Sequence, residues 1–150
     1  MIVTIIATVP VMPAPLHSND ALLNAQARHG HWLLRTPLAA VMLYHGVEKW
    51  LVIGVETFAQ TMGLPIALAV LVAVIEVLAG IALLAGAFAG GWITRSGAAL
   101  TCPVLLGAVF YVHWGQWHFL PSASHPMGGL EFQITLLGIA IYLLIRGNEV

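Results

Sequence analysis

Residues 66–89 read IALAVLVAVIEVLAGIALLAGAFA. About 20 consecutive apolar residues suffice for an α-helix to cross the roughly 30 Å hydrocarbon core of a bilayer. The stretch therefore marks an integral membrane protein. Near its middle stands one carboxylate, Glu76. A charge at that depth costs about 2.5 kcal/mol or more, so such residues face the interior of a helix bundle and have a partner.

Composition agrees with the run. The chain has 150 residues, 60% of them hydrophobic and only 7% charged, with mean hydropathy +0.95. Soluble domains carry about 25% charged residues. Working outward from residues 66–89, three further apolar blocks cover residues 32–55, 92–113 and 128–145. The expected fold is all-α, a polytopic membrane four-helix bundle. Residues 32–150 form the four-span membrane domain, and residues 1–31 form an N-terminal tail with a short interfacial helix. Trp32 and Trp50 bracket the first block, and Trp92 and Trp114 the third. At 1.5 Å per residue these pairs lie roughly 27 and 33 Å apart, as two interfacial belts require.

Charge sets the expected orientation. Arg28, Arg35, Arg95 and Arg146 fall on one side of the blocks, and Lys49 on the other. By the positive-inside rule both termini are cytoplasmic and the longer loops face out. Arg95 and Arg146 read as topology markers. Lys49 reads as an interfacial anchor, its stem in lipid and its ammonium in water. Gly90-Gly91 forms the tight inner turn, and residues 115–127, rich in Trp, His, Pro and Ser, form an outer cap. Residues 1–9 are apolar but short and lack a basic start, so they make a poor signal peptide. Ser18, Asn19 and Asp20 are suited to capping a short helix over residues 21–29.

The polar residues fall into register. Ala69, Ala73, Glu76 and Gly80 share one helix face, and small residues on a membrane helix mark a packing face. Glu131, Thr135, Gly138 and Tyr142 repeat the pattern in the fourth block. His45, Glu48 and Lys49 lie at i, i+3 and i+4, on one side of the first. His45 and Glu76 fall near the midplane, and Glu48, His113 and Glu131 in the outer half, so the polar centre opens outward. The plainer alternative for Glu76 is a packing role, because polar contacts between membrane helices contribute about 0.6–2 kcal/mol.

These residues resemble a known family. Arg35-Thr-Pro-Leu-Ala-Ala-Val-Met-Leu-Tyr-His-Gly46-Val-Glu-Lys49 is similar to the opening of DoxX/DoxD-like membrane proteins. Gly63-Leu64-Pro65, Glu76 four residues before Gly80, Thr94-Arg95 at the hairpin and His113 at the end of the third block also fit. The resemblance extends from Arg35 to Arg146. It implies a four-helix membrane subunit linked to redox chemistry, with quinone nearby, in the cell (inner) membrane. The proline-rich N-terminus and the outer loop have no place in it.

Two functions follow. In the first, the chain is a membrane subunit of a quinone-linked oxidoreductase of sulfur, thiol or respiratory electron transfer. Glu76 and His45 then take the catalytic proton roles. Glu48, His113, Glu131 and Tyr111 line the cofactor-binding route. In the second it is a structural or assembly subunit without chemistry of its own. The expected partners are the lipid bilayer and a larger membrane or periplasmic oxidoreductase complex, with a homo-oligomer as a further state. A net charge of -1 argues against nucleic acid. Haem or metal is disfavoured despite seven histidines, because His45 and His113 differ in depth and a bis-His haem needs them level. One cysteine, Cys102, excludes an internal dithiol relay.

Overall fold

The computed structural model describes the backbone of residues 18–149 and the side chains of residues 29–149. The expectations for residues 1–17, and for capping by the side chains of Ser18, Asn19 and Asp20, lie outside the described residues. Five α-helices make up the described chain: α1 (Ser18–Leu51), α2 (Val55–Met62), α3 (Ile66–Ala89), α4 (Gly91–Gly107) and α5 (Glu131–Arg146). Residues Ala108–Val112 extend α4 as a π turn. No strand occurs among the described residues. The architecture is all-α, as expected.

Helix α1 is longer than its apolar block. The short helix expected over residues 21–29 and the first expected span are one continuous helix. It stops at Leu51 because the chain breaks at Val52–Gly54, where the amides of Val52 and Ile53 both reach back to Glu48 O at 3.0 Å. Gly54 takes φ 82°, a conformation that favours glycine. The chain then turns by 104° into α2. The first span therefore does not run on to residue 55; α2 folds across its end.

Helices α3 and α4, the latter with its π turn, are long and apolar enough to cross a membrane. The bent pair α1–α2 makes a third candidate span. At 16 residues, α5 is about 24 Å long, short of the hydrocarbon thickness. The described residues thus hold two to three candidate spans by length and composition.

Small residues set the packing. Ala69, Ala73, Glu76 and Gly80 are all buried. A Cβ on Gly46 would meet Val77 N at 2.9 Å, which brings α1 against α3. A Cβ on Gly97 would meet Leu83 N at 2.9 Å, which brings α4 against α3 near the Gly90 turn. Leu38, Leu83, Leu105, Leu136, Ala140 and Leu143 fill the space between them. The expected face of the last helix is corrected here. It packs through Leu136, Ala140 and Leu143, whereas Thr135 and Gly138 are exposed and a Cβ on Gly138 would touch nothing.

A polar lock closes the end of the bundle at the Gly90 turn. Arg35, placed by its sequence beside the topology markers, is fully buried. Its guanidinium donates to Leu83 O at 2.5 Å and to Asn148 Oδ1 at 2.6 Å. Thr94 Oγ1 donates to the same oxygen at 2.7 Å, and Asn148 Nδ2 donates to Gly86 O at 2.9 Å. One amide beyond α5 thereby ties α1, α3 and α4 together.

Candidate functional site

The opposite end of the bundle holds the polar centre. Lys49, in the last turn of α1, is 8% exposed, and Glu76 in α3 is 5% exposed. Lys49 Nζ donates to both carboxylate oxygens of Glu76, at 2.9 and 2.8 Å. It also donates to His45 O at 3.2 Å and lies 4.8 Å from the centre of the Phe58 ring of α2. All its donors therefore point inward. The expectation that Lys49 is an anchor in the interface is overturned. The cause is the bend at Gly54, which folds α2 and its Phe58 ring over the ammonium and leaves Lys49 buried.

Two cavities meet at this pair. One, of about 510 Å³, lies between α1, the π turn and α5, and its polar groups are Lys49, Glu76, His45, His113 and Gln133. The other, of about 420 Å³, lies between α2, α3 and α4, and has only Lys49, Glu76 and the Tyr111 hydroxyl among apolar side chains. Lys49, Glu76, Phe58, Met62, Val104, Ala108 and Val112 border both. Sites for small organic molecules typically measure about 300–1,000 Å³, with few polar groups in apolar walls.

The π turn positions the second histidine. His113 N bonds to Ala108 O at 3.1 Å, the i→i−5 pattern of a π turn, which is found frequently at functional sites. The ring is buried. Its Nδ1 lies 2.9 Å from Gly128 O, and a carbonyl only accepts, so Nδ1 carries a proton. In the neutral ring Nε2 is then the acceptor, and Gln133 Nε2, 2.9 Å away, donates to it. A loop carbonyl thus fixes the tautomer, and the tautomer fixes the amide.

The other expected residues are distributed unevenly. His45 borders the larger cavity with a half-exposed ring, its Nδ1 3.4 Å from Glu48 Oε2. Tyr44 donates to Glu48 Oε1 at 3.2 Å. Glu48 borders neither cavity and forms the rim of this cluster. Tyr111 borders the smaller cavity. Glu131 stands apart: it opens α5 and accepts from Phe119 N at 3.3 Å, so it shapes the outer loop. His125 does likewise, with Nε2 2.8 Å from Trp114 O. No group of three or more His, Cys, Asp or Glu is placed to hold a metal ion among the described residues.

Sequence reasoning missed Lys49 as the partner of Glu76, and it missed Gln133 and Phe58. Gln133 carried a usable signal, an amide in an apolar block. Phe58 carried none until the fold of α2 was known.

The DoxX family model matches residues 30–114, more than half of the chain. The matched stretch covers most of α1, then α2, α3, α4 and the π turn, and ends before the outer loop and α5, short of the Arg146 limit that the motifs suggested. No curated protein and no solved structure matches the chain.

Proposed function

The chain belongs to the DoxX family, and from that premise we propose that it is a membrane subunit of a quinone-linked redox complex. Membrane character follows from its helices and family. The finer assignment is carried by one observation: Lys49 and Glu76 pair in the wall shared by two largely apolar cavities.

That pair suits a quinone head in both redox forms. The Lys49 ammonium donates to a carbonyl oxygen, and the Glu76 carboxylate accepts from a hydroxyl. Reduction to the quinol takes two electrons and two protons. The electrons come from a partner oxidoreductase. Both protons come from the outer water: the Glu76 carboxylate takes up one and passes it to one quinone oxygen, and His45, with Glu48 and Tyr44 at the rim, relays the other to the second. His113, its ring fixed by Gly128 and Gln133, faces the same cavity, and Tyr111 flanks the apolar one. Glu131 acts through the loop it holds. The membrane is the cell (inner) membrane, with both termini cytoplasmic and the polar end outward, as the arginines suggest.

Purification from native membranes in mild detergent tests this. Extraction of the purified chain is expected to yield quinone, and mass spectrometry a copurifying oxidoreductase. Recovery of the chain alone, free of quinone, would contradict the proposal.

The second reading is a structural or assembly subunit. It is favoured by the Arg35–Asn148 lock, which joins four helices without facing either cavity. In that case substitutions at Glu76 change stability or complex yield alone.

A further inference from the structure

The α3–α4 hairpin is tight at one end and open at the other. Near the Gly90 turn a Cβ on Gly86 would meet Thr94 N at 2.6 Å, so the two backbones touch. Toward the far end a Cβ on Gly107 would meet nothing within 4 Å. Between these points stands Pro103, which interrupts the α4 hydrogen-bond ladder, and the π turn follows directly after Gly107. The helices diverge, and the smaller cavity fills the wedge. Several of its wall residues, Leu68, Pro103, Gly107 and Tyr111, are exposed on the outer surface of the bundle. In a membrane protein that flank meets lipid chains, so the wedge has a side mouth toward the bilayer. Its inner end is the Lys49–Glu76 pair, beyond which the larger cavity carries His45, His113 and Gln133.

We propose that this wedge is the tail channel of the site: it takes the long hydrocarbon chain of a lipid-borne ligand through the side mouth, while the ligand's polar head lies at Lys49–Glu76, and Gly107 sets the width of chain admitted. The proposal rests on the Lys49–Glu76 pair being the head site. The physical ground is the order of surfaces. From the mouth inward the walls are apolar, then charged, then hydrogen-bonding, which matches an amphiphile entering tail-outward. Gly107 has ordinary helical angles, φ -57° and ψ -45°. A side chain there is unstrained and projects into free space, so its effect is to narrow the channel rather than to disturb the fold. A larger residue across the wedge, at Val72, narrows it from the other wall.

The test uses the full chain in detergent and two probes, 2,3-dimethoxy-5-methyl-1,4-benzoquinone and its decyl-tailed derivative. Wild type is expected to bind the tailed probe at least about 10-fold more tightly, since burial of only two methylenes already gives that factor. Gly107→Leu, and independently Val72→Phe, are expected to reduce the preference to below about 2-fold. Gly138→Leu, on the exposed face of α5, is expected to keep it. Equal binding of both probes by wild type would overturn the channel while leaving the head site standing. So would a full preference in folded Gly107→Leu and Val72→Phe. Loss of the tailed probe on adding phosphatidylglycerol would assign the wedge to structural lipid and also overturn it. Binding of neither probe would remove the quinone reading, and the channel with it.

Discussion

Lys49 Nζ lies 2.9 and 2.8 Å from the two carboxylate oxygens of Glu76, across 27 residues of sequence. The contact joins the end of α1 to the middle of α3 and is roofed by α2. Its worth depends on both partners being present, because each charge left alone in an apolar surround is uncompensated.

Single substitutions should therefore cost more than the double one. Lys49→Met or Glu76→Leu alone is expected to destabilise by about 3–5 kcal/mol, while Lys49→Met with Glu76→Leu recovers much of the loss. Thermal unfolding in detergent, arranged as a double-mutant cycle, measures this. Additive losses would mean that the pair is not coupled.

Asn148 should matter out of proportion to its place beyond the last helix. Its side chain satisfies Arg35, Thr94 and Gly86 at once. Asn148→Ala is expected to cost about 1–3 kcal/mol and to speed hydrogen exchange at the end of α5. Unchanged exchange there would show that the lock does not hold the helix.

The glycines should separate by what faces them. Gly86→Ala pushes a methyl into the α4 backbone and is expected to destabilise by about 1–3 kcal/mol. Gly138→Ala faces open space and is expected to be neutral or to stabilise by up to about 1 kcal/mol through helix propensity. Melting curves of the two variants decide the matter, and a reversed order would contradict the packing described.

His113 should tether the outer loop. His113→Leu loses the bonds to Gly128 and Gln133 and is expected to cost about 1–3 kcal/mol. Limited proteolysis should then cut faster within residues 115–127. An unchanged cleavage rate would count against the tether.

How much of this was legible in the sequence depended on the range of the contact. The α3 face was legible, because Ala69, Ala73, Glu76 and Gly80 follow helical periodicity and small residues pack. The partner of Glu76 was not. Lys49 near the end of an apolar block looks like an anchor, and only the turn at Gly54, which places Phe58 over the ammonium, makes it a buried group. Arg35 was hidden for the same reason: its partner Asn148 is 113 residues away, and no local pattern reports that. The fourth-block face failed because small residues show that a close approach is permitted, not that a neighbour is present. Thr135 and Gly138 are exposed, and a Cβ on Gly138 would meet nothing.

The most direct measurement is equilibrium binding of a decyl-tailed benzoquinone to the purified chain, comparing wild type with Glu76→Gln and Lys49→Met. The account predicts saturable binding by wild type and a loss of at least about 10-fold in each folded variant, the worth of one charged hydrogen bond to the head. Equal affinity in all three, or no binding by wild type, would contradict a quinone head at the Lys49–Glu76 pair.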